Sequence, residues 1–297
     1  MNKNLRNYIK AISKSIGRFI NNSNLSVTSI LRMLVLSKID VVFKSNNYPK
    51  LKSGKNCTVL ANGPSLKKAL ENKEVILDGN DVFVVNMFVQ SQEFWTIKPH
   101  FYFLTDGAFF APQNERHLNF VSILNEGFKK VDWDMYLCIP SGCINGGVLK
   151  SLDNHHVKVL KWNTATFEGF RCLCHFVFKH NMAMPRCQTV ANMALMSAIN
   201  MKYENVYLYG ADHGWTKDLR VDDDNVVCYG DRHVYATKLN VIKLQYNIAD
   251  LLRQYANMFE THMIIEHYAR SRKCKIWNCT VGSYVDAYER KYNQKDV

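Results

Sequence analysis

Polar side chains of the types that bind phosphates and hydroxyl groups follow several short apolar runs in the sequence. They are Asn62, Gly63 and Ser65 after the first run, Asn86 after the second, Asp106 after the third, and Gly210, Asp212 and His213 after a later one. A glycine lets the backbone approach a ligand closely, and the free N–H groups of a helix start favour an anion. Each residue alone could serve as a cap or a turn, but their recurrence favours one shared binding site.

Histidine is the side chain best suited to take a proton near neutral pH. Of the ten histidines, His233 in a polar segment is the leading candidate for a general base. His213 is the second candidate, and it could instead orient its loop or contact the ligand. His262 and His267 lie on a helix predicted over residues 235–270, where packing in the core is the favoured interpretation.

An acidic run, Asp222–Asp224, suggests a metal site as one interpretation, because paired carboxylates can hold Mg²⁺ or Mn²⁺ against a diphosphate. Arg220 and Asn225 flank the run, and this composition is more typical of a solvated turn. We therefore expect no metal and no resident cofactor.

Seven short apolar runs alternate with segments of helical periodicity. They are Thr58–Ala61, Val82–Val85, Phe101–Leu104, Met135–Ile139, Val157–Leu160, Val206–Tyr209 and Lys275–Trp277. This alternation predicts an α/β fold with a mostly parallel, Rossmann-like sheet flanked by helices. Ligands of such sheets bind beyond the carboxyl ends of the strands, which is where the polar residues lie.

Residues 1–50 are predicted to form a helical arm ahead of a single domain over residues 51–297, with a polar linker over residues 44–55. Within residues 3–20, isoleucines recur at helical spacing with basic residues between them. Such a helix suits an anionic membrane surface, and packing on the protein itself or on a partner subunit is an equally weighted alternative. A second apolar segment, Val27–Phe43, is too short and too charged to span a bilayer.

The formal net charge of +12 predicts an anionic partner. Nucleic acid is disfavoured, because the basic residues are spread along the chain and no reader motif is recognised. The nine cysteines are scattered and no signal peptide is recognised, so we expect reduced thiols in the cytoplasm. Together with the arm, these features predict a peripheral protein at the inner face of the cytoplasmic membrane.

Taken together, the motifs resemble the bacterial sialyltransferase-like glycosyltransferases and the related group of motility-accessory-factor and pterin-diphosphokinase-like domains. Many members of that group look like surface-polysaccharide enzymes. The matching stretches are Leu60-Ala-Asn-Gly-Pro-Ser-Leu66, Val84-Val-Asn86, Lys98-Pro-His-Phe-Tyr-Phe-Leu-Thr-Asp106, Val206-Tyr-Leu-Tyr-Gly-Ala-Asp-His213, Asp231-Arg-His233, Lys275-Ile-Trp-Asn278 and Gly282-Ser-Tyr284. They follow the family's order and leave out the N-terminal fifty residues.

The resemblance implies a role for each polar residue. Asn62, Gly63 and Ser65 would hold the nucleotide phosphate, and Asn278 and Ser283 would close the nucleotide side. Asn86, Asp106, Asp212 and His213 would line the donor sugar, and Gly210 would belong to the same binding site. Asp212 and His213 would also join His233 as catalytic residues. His233 stands where the sialyltransferases place their base, and Tyr229, Tyr235 and Tyr284 are candidates to steady the leaving phosphate. These families typically work without a metal.

Two departures from the family pattern argue against a sialic acid donor. Asp106 replaces an asparagine, and its carboxylate would repel the carboxylate of that sugar. The pair Val190-Ala191 replaces a serine-glycine pair.

The resemblance therefore implies hexosyl or sialyl transfer from a nucleotide sugar, as co-substrate, to a hydroxyl of a surface glycan such as lipopolysaccharide or capsule. Direct displacement with inversion is expected, and a glycan or lipid-linked glycan would be the acceptor. Self-association of the chain stays open. Two alternatives are a diphosphokinase-like enzyme that uses ATP and Mg²⁺, and a non-catalytic, membrane-docked scaffold of a polysaccharide assembly complex.

Overall fold

The computed structural model describes residues 3–44, 54–71, 77, 79–231, 240–244 and 247–292. Its main element is an eight-stranded parallel sheet with the order β11-β10-β6-β1-β2-β3-β4-β5. The strands are β1 (Asn56–Leu60), β2 (Asp81–Val85), β3 (Phe101–Phe103), β4 (Met135–Pro140), β5 (Val157–Trp162), β6 (Asn205–Tyr209), β10 (Lys275–Asn278) and β11 (Glu289–Arg290). Each of the seven predicted runs forms a strand of this sheet, and the predicted α/β fold class is confirmed.

Helices cover both faces of the sheet. They are α1 (Lys3–Leu36), α2 (Ile39–Lys44), α3 (Leu66–Leu70), α4 (Gln92–Ile97), α5 (Glu115–Lys129), α6 (Arg171–Lys179), α7 (Val190–Asn200) and α8 (Ile248–Ser271). None of the helices in the described part of the chain is long and apolar enough to cross a membrane.

Alternate side chains of the strands enter two separate cores. Phe83 and Phe101 pack in the core that contains α6 and α7, whereas Val84 and Tyr102 pack in the core that contains α3, α4 and α5. This division follows from the two-residue period of a strand. Every residue of α7 from Val190 to Ile199 is buried. Burial on both faces explains why the strands read as apolar runs in the sequence.

The two N-terminal segments suggested by the sequence pattern are joined in one long helix, α1, and the end of the second segment forms α2. Residues 21–26 contain neither glycine nor proline, so nothing interrupts α1 between the segments. Its C-terminal half docks on the domain: the hydroxyl of Ser26 accepts the N–H of Phe170 at 3.1 Å, and that of Ser29 accepts the N–H of Glu168 at 2.9 Å. The isoleucines of its N-terminal half are exposed. The predicted linker lies mostly outside the described residues.

A three-stranded antiparallel sheet follows β6 and was not predicted. It consists of β7 (Arg220–Val221), β8 (Val227–Asp231) and β9 (Asn240–Leu244). The acidic run Asp222–Asp224 lies in the turn between β7 and β8, where Asp222 accepts the N–H of Val226 at 2.8 Å.

The helix predicted over residues 235–270 is therefore shorter than expected. Residues 240–244 pair with β8 instead, and the β-branched pair Val241-Ile242 suits that strand. The helix α8 begins at Ile248, where the side chain of Asn247 accepts the N–H of Asp250 at 3.0 Å. This cap sets the start of the helix.

Candidate active site

A cavity of about 760 Å³ opens at the carboxyl edge of the large sheet. The residues after β1, β2, β3 and β6 line it, together with residues 187–191 and 229–230. The strand order reverses at β1, between β2 and β6. Such a reversal is where open α/β sheets bind ligands. The predicted site residues on the cavity wall are Asn62, Gly63, Asn86, Asp106, Gly210, Asp212 and His213.

Two glycines allow the loops after β1 and β6 to touch. The N–H of Gly63 donates to the carbonyl of Gly210 at 2.8 Å. A Cβ atom on Gly63 would lie 1.9 Å from a carboxylate oxygen of Asp212. Gly210 has a φ of +68°, and a Cβ there would lie 2.3 Å from the carbonyl oxygen of Ala61. Both positions therefore require glycine.

The carboxylate of Asp212 bridges these same loops through Ser65. The Ser65 hydroxyl donates to Oδ2 at 2.7 Å and the Ser65 N–H donates to Oδ1 at 3.3 Å. Burial raises the pKa of Asp212 above its usual range, and the bonds from Ser65 oppose that rise. Ser65 was expected to hold a phosphate, but its hydroxyl and N–H are bonded to Asp212 and it is not among the described residues that line the cavity.

Two asparagine amides on the cavity wall keep an unpartnered oxygen. Asn62 is 7% exposed and donates from Nδ2 to the carbonyl of Val85 at 3.0 Å, while its Oδ1 meets no partner among the described residues. Asn86 has the left-handed φ of +49°, and its Oδ1 is likewise buried and unpartnered in that part of the chain. A buried amide oxygen without a partner costs free energy, and both oxygens are covered by neighbouring protein atoms.

Asp106 stands on the open side of the cavity. Its Oδ1 accepts the N–H of Ala108 at 2.9 Å and so caps a short 3₁₀ turn over residues 107–109. The carboxylate is exposed and keeps its second oxygen for solvent or a ligand. The structure thus brings Asp106 and Asn86 to the same cavity, as the sequence predicted.

His213 lies at the back of the cavity and is almost fully buried. Its ring stacks on Trp215 with 4.8 Å between the centroids, and its Nε2 lies 3.1 Å from Nε2 of His262. Burial lowers the pKa of His213 to about 4. Burial and the neighbouring His213 lower the pKa of His262 well below its usual value. Both rings are therefore neutral at pH 7.

Asn278 and Ser283, expected on the nucleotide side, are not among the described residues that line the cavity. The Ser283 hydroxyl donates to the carbonyl of Ala211 at 2.7 Å, and the Asn278 amide donates to the carbonyl of Val285 at 2.9 Å. Ser283 thus holds the loop over residues 210–213, whereas Asn278 holds the segment that follows β10.

The predicted base His233 and the candidate Tyr235 lie outside the described residues. Of the other tyrosine candidates, Tyr229 lines the cavity, whereas Tyr284 is exposed beside it. The Lys217 ammonium lies 5.3 Å from the centre of the Tyr284 ring.

Several residues of the cavity wall were not predicted from the sequence. Lys217 and Trp215 line the cavity from a 3₁₀ turn after β6. His262 is not among the described residues that line the cavity; it is fully buried behind His213, in agreement with the core packing that the sequence favoured. The sequence signal for the cluster behind His213 was Asn192, a polar residue in the otherwise apolar start of α7. Its amide contacts His262. No group of three or more metal-binding side chains occurs within the described ranges.

A comparison with solved structures finds a likeness to the MAf glycosyltransferase from Magnetospirillum magneticum AMB-1. The two share a fold. The match covers 83% of this chain with a TM-score of 0.50 and 13% sequence identity. This chain spans only about a third of that protein, 34% of its length. The resemblance to the motility-accessory-factor group is thereby confirmed at the level of the fold. No protein-family model and no curated protein matches the sequence.

Proposed function

We propose that this protein is a glycosyltransferase that takes its sugar from a nucleotide-sugar donor bound in the cavity. The observation that carries the proposal is the meeting of Asn62, Asn86, Asp106 and Asp212 around one cavity at the reversal point of a parallel sheet. The fold shared with a solved glycosyltransferase adds support. The 760 Å³ cavity is within the range that small-molecule ligands occupy, about 300–1,000 Å³.

The polar groups of the cavity suit a hydroxyl-rich ligand. The amide side chains of Asn62 and Asn86 lie on the cavity wall, and amides are suited to pair with sugar hydroxyls and base N–H groups. Lys217 also lines the cavity, where its ammonium can offset the charge of a diphosphate.

The reaction would be a direct displacement. An acceptor hydroxyl oxygen forms a bond to the anomeric carbon while the bond from that carbon to the phosphate oxygen breaks. The nucleoside diphosphate or monophosphate leaves with the bonding electrons, and a base takes the hydroxyl proton. His233 stays the predicted base in this scheme, and the acceptor would be a hydroxyl of a surface glycan, free or lipid-linked.

The helix α1 would place the enzyme at an anionic membrane surface. Ile9, Ile12, Ile16 and Ile20 form an exposed stripe, and Lys10, Lys14 and Arg18 lie on another face of the same helix. An apolar stripe with basic flanks is the pattern of helices that lie in an anionic interface. We propose the inner face of the cytoplasmic membrane as its location.

Thermal-shift measurements with CMP-, UDP-, GDP- and dTDP-sugars would test the donor class. One of these donors should stabilise the protein and then be consumed with release of its nucleotide, with and without EDTA. Loss of turnover in EDTA would contradict the metal-free scheme. Turnover of ATP with Mg²⁺ but of no nucleotide sugar would favour the diphosphokinase alternative, and no turnover of either would favour a scaffold.

A further inference from the structure

A chain of buried side chains runs from the back of the cavity into the core. Nε2 of His213 lies 3.1 Å from Nε2 of His262, whose Nδ1 lies 2.9 Å from the hydroxyl of Tyr288. A third group, the amide Nδ2 of Asn192, lies 3.4 Å from the same Nε2 of His262. Three residues from three parts of the chain thus meet behind His213.

The orientation of the Asn192 amide is set by its other end. Its Oδ1 accepts the N–H of Thr189 at 3.0 Å and the hydroxyl of Thr189 at 3.1 Å, which form the cap of α7. The amide nitrogen must therefore face His262. An amide nitrogen only donates, so Nε2 of His262 must carry a lone pair.

This requirement fixes the protons of both rings. A neutral His262 with a lone pair on Nε2 carries its proton on Nδ1 and donates it to Tyr288. His213 must then donate from Nε2 to His262, and both donors share one lone pair. The single proton of the neutral His213 ring is thereby used, and Nδ1 keeps a lone pair. Nδ1 meets no partner within the described chain.

We propose that His213 binds a hydroxyl of the donor sugar through Nδ1, and that Asn192, His262 and Tyr288 are positioning residues that hold it as a hydrogen-bond acceptor. The inference rests on the proposed function for the identity of the ligand, but the proton arrangement does not. The backbone of His213 is also strained, because its φ of +49° lies in the left-handed region that non-glycine residues rarely adopt. Such strain persists where the surroundings over-determine a functional position.

An acceptor of this kind discriminates between sugars. A hydroxyl donates to Nδ1, whereas a sugar lacking that hydroxyl leaves the buried nitrogen unpaired. We expect the donor sugar to bind about tenfold more tightly than its analogue without that hydroxyl. In the His213→Phe protein, which keeps an aromatic ring but has no acceptor, the preference should disappear.

Long-range ¹⁵N NMR of the imidazole rings tests the proton arrangement in the free, full-length protein. Nδ1 of His213 should give the resonance of an unprotonated ring nitrogen and Nε2 that of a protonated one. The opposite pattern in the wild-type protein overturns the proposal. Because no ligand is present, the result stands even if no nucleotide sugar binds, which would overturn only the proposed function.

The substitution Asn192→Asp tests the positioning role with almost no change in shape. A carboxylate oxygen in place of Nδ2 accepts, so His262 should move its proton to Nε2 and His213 should become protonated on Nδ1. Asn119→Asp, the same change at an exposed position of α5, should leave both resonances unchanged. A folded Asn192→Asp protein with wild-type His213 resonances overturns the positioning role.

A second variant keeps the test decisive if Asn192→Asp does not fold. Tyr288→Phe removes the group that accepts the Nδ1 proton of His262, so a population of His213 protonated on Nδ1 should appear. Wild-type resonances in this variant also contradict the proposal.

For the sugar itself, the donor with the largest thermal shift and its monodeoxy analogues are compared in wild-type and His213→Phe proteins. Equal selectivity in the two proteins overturns the contact between His213 and the sugar.

Discussion

Asp212 accepts two hydrogen bonds from Ser65, one from its hydroxyl at 2.7 Å and one from its backbone N–H at 3.3 Å. These bonds join the loop after β6 to the loop after β1, across the point where the strand order reverses. The carboxylate thus holds the two loops together. Its pKa is raised because the side chain is buried at this position.

Removing the Ser65 hydroxyl should weaken this connection between the two loops. In Ser65→Ala, Asp212 keeps only the backbone N–H, and the free energy of unfolding should fall by about 1–2 kcal/mol. Ser122→Ala on the exposed face of α5 serves as the control and should change stability by less than about 0.5 kcal/mol. Denaturant unfolding measures both. Equal stabilities of the two variants would mean that the bond contributes nothing net.

Gly63→Ala should damage the site more than the loss of any single hydrogen bond. The new methyl group would lie 1.9 Å from Oδ2 of Asp212 and 2.5 Å from the carbonyl oxygen of Gly210, so one of the two loops must shift. We expect a loss of about 2–4 kcal/mol in stability and of nucleotide-sugar binding. Gly142→Ala, where a Cβ meets open space, should be nearly neutral. Calorimetric unfolding of both proteins checks this, and a wild-type melting temperature for Gly63→Ala would contradict it.

Asn86→Gly should separate ligand binding from folding. Glycine adopts the φ of +49° without strain, so the melting temperature should change by only a few degrees. The variant lacks the buried amide, and we expect at least a tenfold loss of affinity for the donor sugar. Asn225→Gly, at a φ of +59° in the exposed turn after β7, should keep full affinity. Titration calorimetry with the donor found in the screen decides between these outcomes.

Acid should destabilise the protein through the buried histidines. The pKa of His213 falls from 6.5 to about 4 on folding, so the unfolded chain binds more protons between these values. The free energy of unfolding therefore decreases as the pH falls through this window, by about 2 kcal/mol from His213 between pH 7 and pH 5. This part of the loss should be absent in His213→Phe and retained in His155→Asn, an exposed control. An equal pH dependence in all three proteins would exclude His213 as its source.

The exposed half of α1 should carry membrane binding. Deleting residues 1–22 removes the isoleucine stripe but keeps Ser26, Ser29 and Met33, through which the helix docks on the domain. We expect weaker sedimentation with anionic liposomes and an unchanged melting temperature. Ile12→Gln with Ile16→Gln should act in the same direction, whereas Asn7→Gln with Asn21→Gln should not. Undiminished liposome binding by the truncated protein, together with loss of a dimer in sedimentation, would assign the stripe to self-association.

Much of the fold was predictable because it depends on local patterns. Apolar runs of three to five residues between helical segments indicate parallel strands, and a parallel sheet brings its strand ends to one edge. That rule sufficed to predict that Asn62, Asn86, Asp106 and Asp212 would meet, as they do. The apolar periodicity gave a wrong prediction for residues 240–244. They fit a helical period, yet they form a strand that pairs with β8.

Tertiary structure alone decided what each polar residue does. The types and order of Ser65, Asp212 and His213 are properties of the sequence, but only the approach of the loops after β1 and β6 pairs Ser65 with Asp212. Only the packing of α7 against α8 brings Asn192 and His262 together behind His213. A hydrogen bond depends on distances of a few tenths of an ångström between residues far apart in the chain, and no local pattern encodes such distances.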